Sequence, residues 1–244
     1  MKIYFCLPAY NEENAIGELL KEIYNVFRDL RYSYKVIVVN DGSTDKTPEI
    51  VEHYSHIMPV EMISHSHNQG LGEALNSGFK YICHTARPID VIVCMDSDNT
   101  HKPIYVYNMI KKIEEGFDIV IASRYMKESK VIGVSPFRLL MSYGARFMFQ
   151  IFTPIKGIKD YTCGFRAFKV SIICKAYNYY KGKFITQKGF ACTDEILLKL
   201  SKLTNKITEV PFILRYDEKK GNSKLKLFTT IKATLKLLIN YRKL

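Results

Sequence analysis

The sequence contains no tryptophan, no closely spaced cysteine pair and no apolar run long enough to cross a bilayer. Its six cysteines stand apart without CxxC spacing, which argues against a zinc site and favours reduced thiols in a cytosolic protein. Unbroken apolar stretches such as residues 36–39 and 91–95 have the length of strands, whereas a spanning helix needs roughly 18 to 20 apolar residues. No linker rich in glycine or proline divides the 244 residues, and we therefore expect one main folded domain without a membrane span.

Acidic residues are the scarcer charge in this sequence. The chain has 24 Asp and Glu against 36 Lys and Arg, which gives a net charge of +12. Such an excess predicts an anionic neighbour, and nucleic acid, a phospholipid surface and a phosphorylated substrate all meet that description. Hydrophobic residues make up 47% of the chain, so wholesale disorder and fibrous repeats are excluded as classes.

Short apolar runs alternate with segments of helical periodicity along the chain. Strands are predicted at residues 3–7, 36–39, 60–63, 91–95, 118–122, 163–168 and 207–216, and helices at 15–30, after Asp45, and at 73–81, 136–152 and 193–203. Strands that are apolar throughout and separated by helices predict an α/β fold, with a mostly parallel sheet covered by helices on both faces. Such sheets bind ligands at the carboxyl ends of their strands.

Two aspartates directly follow the apolar strand predicted at residues 91–95. Asp96 and Asp98 are two residues apart, with Ser97 between them, so at the end of the strand their side chains can point to a common side. There they offer hard oxygen ligands for Mg²⁺ or Mn²⁺. A metal there would hold the diphosphate of a nucleotide and stabilise charge on the leaving oxygen. A solvated turn is the alternative, but the position after a buried strand favours a metal site.

Polar residues also follow the first two predicted strands. Pro8, Tyr10 and Glu12 come after the first strand, and Asp41 comes after the second. A tyrosine ring beside a base, with carboxylates accepting from the base or ribose, suits a nucleotide. The alternatives are that Asp41 caps a helix and that Glu12 complements a helix dipole. Together these residues favour a nucleotide site.

Four motifs resemble, in order and spacing, the inverting family 2 glycosyltransferases of the GT-A fold, which is Rossmann-like. They are LPAYNE at 7–12, VNDGSTD at 39–45, NQGLG at 68–72 with ALN at 74–76, and MDSD at 95–98. Four later features resemble the branch that makes dolichyl- or polyprenyl-phosphate hexoses, such as dolichol phosphate mannose. They are SRY at 123–125, Arg138 with Ser142, DYTCGFR at 160–166, and GNSK at 221–224.

This resemblance implies a role for each matching residue. Pro8, Tyr10, Glu12, Asp41, Asp96 and Ser97 would hold the nucleotide sugar; Asp96 and Asp98 would hold Mg²⁺ or Mn²⁺; Arg124, Arg138 and Ser142 would hold the acceptor phosphate. The predicted catalytic residues are Asp98, Arg124, Arg138 and Glu195. Arginine forks suit this task because they bind phosphate oxygens in pairs. Two solvated surface arginines are the alternative in so basic a chain.

The sequence departs from that branch at two positions. Thr100 stands where the branch often has a glutamine two residues after the second aspartate, so a metal ligand is lost or replaced by a hydroxyl or water. Glu218 stands where many members have an arginine three residues before the glycine. The substitutes that we consider for binding the acceptor phosphate are Arg215, Lys220 and Lys224.

The C-terminal residues 226–244 carry a separate signal, after a catalytic domain at residues 1–225. On a helix, one face carries Leu227, Ile231, Leu235 and Leu238, and another carries Lys232, Lys236 and Lys243. This pattern is typical of a basic amphipathic helix that lies on a membrane surface. A terminal helix docked on the core is the alternative, and a lipid acceptor favours the membrane.

We therefore predict metal-dependent, inverting transfer of a hexose from a donor of the GDP-mannose or UDP-glucose type to a polyprenyl phosphate. The protein would be peripheral at the cytoplasmic face of a membrane, with or without a separate membrane subunit, and would not bind nucleic acid. One alternative is transfer to a sugar hydroxyl of a surface glycan, with Asp194 or Glu195 as the base. A sugar-phosphate nucleotidyltransferase is the alternative from another class, although no glycine-rich basic loop follows the first strand.

Overall fold

The computed structural model describes residues 1–28, 30, 32–220 and 227–241, and within them the chain forms nine strands and eight helices. The strands are β1 (Lys2–Ala9), β2 (Ser33–Asn40), β3 (Val60–Ser64), β4 (Val91–Cys94), β5 (Ile119–Ser123), β6 (Lys130–Ile132), β7 (Arg166–Lys169), β8 (Ile207–Pro211) and β9 (Ile213–Arg215). The helices are α1 (Ile16–Phe27), α2 (Thr47–Ser55), α3 (Leu71–Thr85), α4 (Val106–Glu114), α5 (Pro136–Phe152), α6 (Val170–Tyr180), α7 (Ala191–Ser201) and α8 (Leu227–Ile239).

Seven strands form one sheet in the order β3-β2-β1-β4-β7-β5-β8. All neighbours in it are parallel except β7, which runs antiparallel to both β4 and β5. β6 and β9 pair in a separate two-stranded sheet. The predicted mostly parallel sheet is confirmed, and it brings the carboxyl ends of β1, β2 and β4 together at one edge.

The central strands are buried on both faces of the sheet. Successive residues of a strand point to opposite faces, and in β1 both Phe5 and its neighbour Cys6 have no exposed surface. Helices therefore cover both faces, as the apolar runs predicted. Helix α3 lies so close to β1 that a β-carbon on Gly78 would come within 2.5 Å of the Cys6 sulfur.

Two predicted strands differ from the observed ones. The strand expected at 163–168 begins only at Arg166, because the Asp160 carboxylate accepts the backbone N–H groups of Thr162 and Cys163 and holds that segment out of the sheet. The strand expected at 207–216 divides at Phe212 into β8 and β9. The Phe212 carbonyl accepts from Lys130, and from there the chain pairs with β6 instead of β5.

Helix α8 docks on the body of the protein through one side. Leu238 is 5% exposed, and the Thr234 hydroxyl donates to Asp194 of α7 at 2.8 Å. Leu235 is 40% exposed and Ile239 is 80% exposed. The sequence placed Leu235 and Leu238 on one common face; the structure separates them, because the turn at Leu238 packs on the core. The side chain of Leu227 lies outside the described residues. None of the described helices combines the length and apolar character that a bilayer crossing requires.

The close packing of α3 can be tested by a substitution at Gly72, which lies on this helix, with Gly144 of another helix as the control. A β-carbon on Gly72 would lie 1.8 Å from the backbone oxygen of Gln187, whereas one on Gly144 of α5 would meet no heavy atom within 4 Å. We expect Gly72→Ala to destabilise the protein by roughly 1–3 kcal/mol through overpacking. The matched Gly144→Ala should be neutral or stabilising by up to about 1 kcal/mol, because alanine is the better helix former. Urea unfolding measures both, and equal midpoints for the two variants would refute the close packing.

Candidate active site

Three strand ends meet at one crevice, as the sequence predicted. β1 lies between β2 and β4, with Ala9 opposite Asn40 and Cys6 opposite Cys94. The Ser97 hydroxyl donates to the carbonyl of Pro8 at 2.8 Å, which ties the loop after β4 to the end of β1. The predicted nucleotide and metal segments are therefore in direct contact.

The loop after β1 is fastened to the loop after β2. Asn11 adopts a left-handed conformation with φ of 50°, and its backbone N–H donates to the Ser43 hydroxyl at 3.0 Å. The Glu12 carbonyl accepts the first N–H groups of α1, and its own N–H donates to Thr47 at 2.8 Å. Tyr10 and Glu12 are half-buried at this edge. The backbone of this loop is thus fixed at the carboxyl end of β1, and the contact of Tyr10 and Glu12 with a nucleotide stays a prediction.

The two aspartates of the predicted metal site differ in their surroundings. The Asp96 side chain is 40% exposed, and its backbone N–H donates to Nδ1 of His101 at 3.1 Å. The Asp98 side chain is 11% exposed; it accepts from the Thr100 hydroxyl at 2.7 Å and forms an ion pair with Lys219. Burial acts to raise the pKa of Asp98, but the Lys219 ammonium and the Thr100 hydroxyl outweigh it and hold that pKa below its usual value.

The donor chemistry of this pair fits a divalent cation that also binds phosphate. Among the described residues, no group of three or more His, Cys, Asp or Glu side chains is placed to enclose a metal. Mg²⁺ does not require such a cage, since it is held by one or two carboxylates together with substrate phosphates and water. Asp96 and Asp98 meet that requirement. Thr100, at the position of the family's glutamine, donates its hydroxyl to Asp98 and so orients that carboxylate.

Asp41 is a buried carboxylate with partners on both oxygens. It is 3% exposed and accepts from the backbone N–H groups of Gln69 at 2.9 Å and Gly70 at 2.8 Å. His65 lies 2.7 Å from the same carboxylate, and the other ring nitrogen of His65 lies 2.9 Å from Ser77. Asp41 therefore fixes the loop that leads into α3, which differs from the direct contact with a base or ribose that the sequence suggested.

Arg124 is anchored by a buried partner. Its Nε and Nη2 bind the two oxygens of Asp160 at 2.8 and 2.6 Å, and Nη2 also donates to Thr162 at 2.6 Å. Asp160 is fully buried, and although burial opposes it, the guanidinium holds the pKa of that carboxyl below its usual value. Arg124 is thus held rigidly at the crevice by Asp160, a residue the sequence reading left without a role.

Helix α5 carries a polar stripe formed by Arg138, Ser142 and Arg146, which follow one another at intervals of four residues. The Tyr125 hydroxyl lies 2.5 Å from that of Ser142, and the Arg146 guanidinium lies 4.7 Å from the centre of the Tyr125 ring. Arg124 approaches the same ring at 5.6 Å. Arg124 and Ser142 thus both contact Tyr125, and so does Arg146, which the sequence prediction did not name and which the helical spacing alone could have revealed.

The described substitutes for the missing arginine, Arg215 and Lys220, contact acidic side chains. Arg215 forms ion pairs with Asp217 at 2.8 Å and Glu218 at 2.6 Å, so carboxylates already occupy it. Lys220 is half-exposed and lies 3.5 Å from Glu18. Lys224 lies outside the described residues. The observed partners of Arg215 and Lys220 are thus acidic side chains, and a role for either in binding the acceptor phosphate stays a prediction.

Glu195 is not placed to act as a base. It has no exposed surface and accepts from Thr186 through its hydroxyl at 2.6 Å and its N–H at 2.8 Å, from the Gln187 N–H at 2.9 Å and from the Lys199 ammonium at 2.7 Å. Both oxygens are occupied inside the protein. The predicted catalytic role of Glu195 is corrected to a structural one. Asp194 is also buried beneath α8, and that burial raises its pKa to about 7.

Comparison with known proteins agrees with this geometry. Residues 4–175 match the family model described as glycosyl transferase family 2. The chain is 35% identical over 227 residues to a dolichol-phosphate mannosyltransferase of Pyrococcus furiosus, which covers 93% of this chain but only 60% of that protein. It is 29% identical over 245 residues to the dolichyl-phosphate beta-glucosyltransferase ALG5A of Trichomonas vaginalis, covering 95% of this chain and 70% of that one. The chain therefore spans less than two thirds of the Pyrococcus relative.

A solved structure shares the fold. Glucosyl-3-phosphoglycerate synthase from Mycobacterium tuberculosis, in complex with Mn²⁺, UDP and glucosyl-3-phosphoglycerate, matches with a TM-score of 0.71 at 19% identity. The match covers 98% of this chain and 79% of that one. At this identity the likeness concerns the fold, and it confirms the predicted GT-A architecture.

The structural role of Glu195 can be tested by a substitution that removes its charge and keeps the size of its side chain. We expect Glu195→Gln to cost about 3–5 kcal/mol of unfolding free energy, because it leaves the Lys199 ammonium buried without its carboxylate. Adding Lys199→Met should recover part of that loss, since no orphan charge remains. Glu61→Gln is the control, because the half-exposed pair of Glu61 with Lys35 is worth about 1 kcal/mol or less. Glu195→Gln with no greater effect than the control would contradict the assignment.

Proposed function

This chain belongs to glycosyltransferase family 2, and on that premise we propose that it transfers a hexose from a nucleotide diphosphate sugar to a polyprenyl phosphate. The observation that carries the proposal is the stripe of Arg138, Ser142 and Arg146 beside the anchored Arg124. Guanidinium groups arranged around a hydroxyl form a site for a phosphate dianion. The names of the Pyrococcus and Trichomonas relatives, both dolichyl-phosphate glycosyltransferases, support the same acceptor class.

The nucleotide diphosphate sugar occupies the crevice at the ends of β1, β2 and β4 in this proposal. Tyr10 and Glu12 line its rim, and Pro8 is fixed there by Ser97. Asp41 acts indirectly, by holding the loop before α3. Asp96 and Asp98 would hold Mg²⁺ or Mn²⁺, and such an ion would supply positive charge for the diphosphate that leaves. The Mycobacterium structure, with its Mn²⁺ and UDP, is consistent with that arrangement.

Transfer then occurs by a single in-line displacement. A phosphate oxygen of the acceptor attacks the anomeric carbon, the bond to the diphosphate breaks, and the configuration at that carbon inverts. A phosphate is already anionic near neutral pH, so no side chain has to remove a proton, whereas a hydroxyl acceptor would need a general base. The burial of Glu195 and Asp194 therefore favours the phosphate over the alternative of a sugar hydroxyl.

An apolar surface next to the stripe suits a lipid acceptor and a membrane surface. On α5, five large apolar side chains are between 53% and 68% exposed: Phe137, Leu140, Phe147, Ile151 and Phe152. The exposed side of α8 adds Leu235 and Ile239, with the exposed Lys232 and Lys236 beside them. We propose that this combined surface, the apolar face of α5 and α8, rests on the cytoplasmic side of a membrane, with a separate membrane subunit as an optional partner.

The acceptor assignment is tested by measuring radiolabelled transfer from GDP-mannose and from UDP-glucose to a short polyprenyl phosphate. Arg138→Ala should lower the rate on the order of 10²-fold or more, because the dianion that Arg138 positions is also the nucleophile. Arg146→Ala should lower it roughly tenfold or more, the range for a charge-assisted contact. Lys21→Ala, which removes a positive charge from the exposed side of α1, should leave the rate unchanged. The lipid-phosphate acceptor would be refuted if the hexose were transferred to a sugar hydroxyl and the two arginine variants kept the wild-type rate.

The membrane surface is tested by sedimentation with anionic phospholipid vesicles. Replacing both Phe147 and Ile151 by serine should weaken binding by about tenfold or more for each residue, since each side chain contributes roughly 1.5–3 kcal/mol when buried in an apolar environment. Ile89→Ser is the control, because Ile89 is equally exposed at 63% but lies away from α5. High salt should also weaken binding, by screening Lys232 and Lys236. Equal losses for the control and the double variant would refute the proposed surface.

A further inference from the structure

Lys219 forms an ion pair with Asp98, the carboxylate that would bind a divalent cation in the proposed function. Its ammonium forms an ion pair with Oδ2 of Asp98, while Thr100 binds Oδ1. Both partners are largely withdrawn from water, with side chains 16% and 11% exposed for Lys219 and Asp98. The ammonium is therefore a resident positive charge at this site.

The segment that carries Lys219, residues 215–220, is strapped across the site. Its backbone N–H groups donate to the loop after β4 at both ends, from Arg215 to the Thr100 carbonyl at 3.1 Å and from Lys220 to the Asp98 carbonyl at 3.4 Å. Glu218 binds Lys102 at 2.6 Å. These contacts present the Lys219 ammonium to Asp98, so the pairing follows from how the strap is held.

One carboxylate cannot serve both cations well. An ammonium and a divalent ion at neighbouring oxygens of one carboxylate would repel each other strongly, because like charges that close are screened little at a partly buried site. Thr100 binds one oxygen of Asp98 and Lys219 binds the other. A metal ion therefore coordinates this carboxylate only when the ion pair with Lys219 breaks. Asp96 is more exposed, and His101 lies 4.0 Å from its carboxylate.

We propose that Lys219 is a tethered counterion of Asp98 and that a divalent cation binds this site by displacing it. The inference rests on the proposed function only for the identity of the metal pair. It also links the two halves of the site, because Tyr216 of the same strap contacts Arg138 through its hydroxyl and its ring. Displacement of Lys219 therefore also affects the segment that contacts Arg138.

The exchange is tested with Mn²⁺ alone, by the loss of the electron paramagnetic resonance signal of the free ion. Lys219→Met should bind Mn²⁺ about tenfold more tightly than the wild type, the change expected if the ion pair is closed about nine-tenths of the time. Lys219→Arg keeps the competing charge, so its affinity should equal that of the wild type or fall below it. Lys220→Met is the matched control, since it removes one charge from the neighbouring residue, which pairs with Glu18 instead.

A Lys219→Met affinity no higher than that of the wild type would overturn the proposal, as would equal tightening by Lys219→Arg or by Lys220→Met. Amide hydrogen exchange of the wild-type protein gives a second readout that needs no variant to fold. Mn²⁺ should speed exchange at residues 215–220, and unchanged exchange with Mn²⁺ bound would mean that Lys219 stays in place. Both measurements use the metal without a sugar donor or acceptor. If the protein fails to transfer a hexose to polyprenyl phosphate while the variants show the expected Mn²⁺ affinities, that result would count against the proposed function and not against the displacement of Lys219.

Discussion

Buried carboxylates that accept backbone N–H groups hold the irregular segments of this protein in place. Asp41 binds the loop before α3, Asp160 binds the segment before β7, and Glu195 binds the segment before α7. Each is at most 3% exposed. Loops have no helix or strand partner for their N–H groups, and an unpaired buried amide costs roughly 1–3 kcal/mol. Because a carboxylate can satisfy two or three donors at once, three side chains position most of the loops around the crevice.

This use of carboxylates divides the acidic residues of the site into two kinds. Asp41, Asp160 and Glu195 accept from protein donors, and through these contacts they fix loops or, in the case of Asp160, the side chain of Arg124. Asp96 and Asp98 lie at the strand end, where the Asp96 side chain is 40% exposed and Asp98 pairs with the Lys219 ammonium. The acidic groups are thus balanced in two ways: by donors inside the protein, and, for Asp98, by the ammonium of a neighbouring segment.

The two substrate halves of the site are joined by one short piece of chain. The strap at 215–220 contacts Asp98 on the donor side and Arg138 on the acceptor side. Helix α5 then continues from Arg138 and Arg146 to the apolar surface of Phe147 and Ile151. A phosphate held by the stripe would have its lipid chain beside that surface, so charge recognition and lipid recognition belong to the same helix.

The sequence by itself determined the α/β alternation, the burial of the central strands and the position of Asp96 and Asp98 at a strand end. These depend on periodicity and on neighbours along the chain, which a sequence displays directly. Motif spacing also identified Arg124, Arg138 and Ser142. Only the tertiary structure decided which acidic side chains stay available. Asp41 meets Gln69 from 28 residues away, and Asp98 meets Lys219 from 121 residues away. A carboxylate that anchors a loop and one that binds a ligand are the same residue type in a sequence; they differ in the donors that folding brings to them, and those donors come from distant segments.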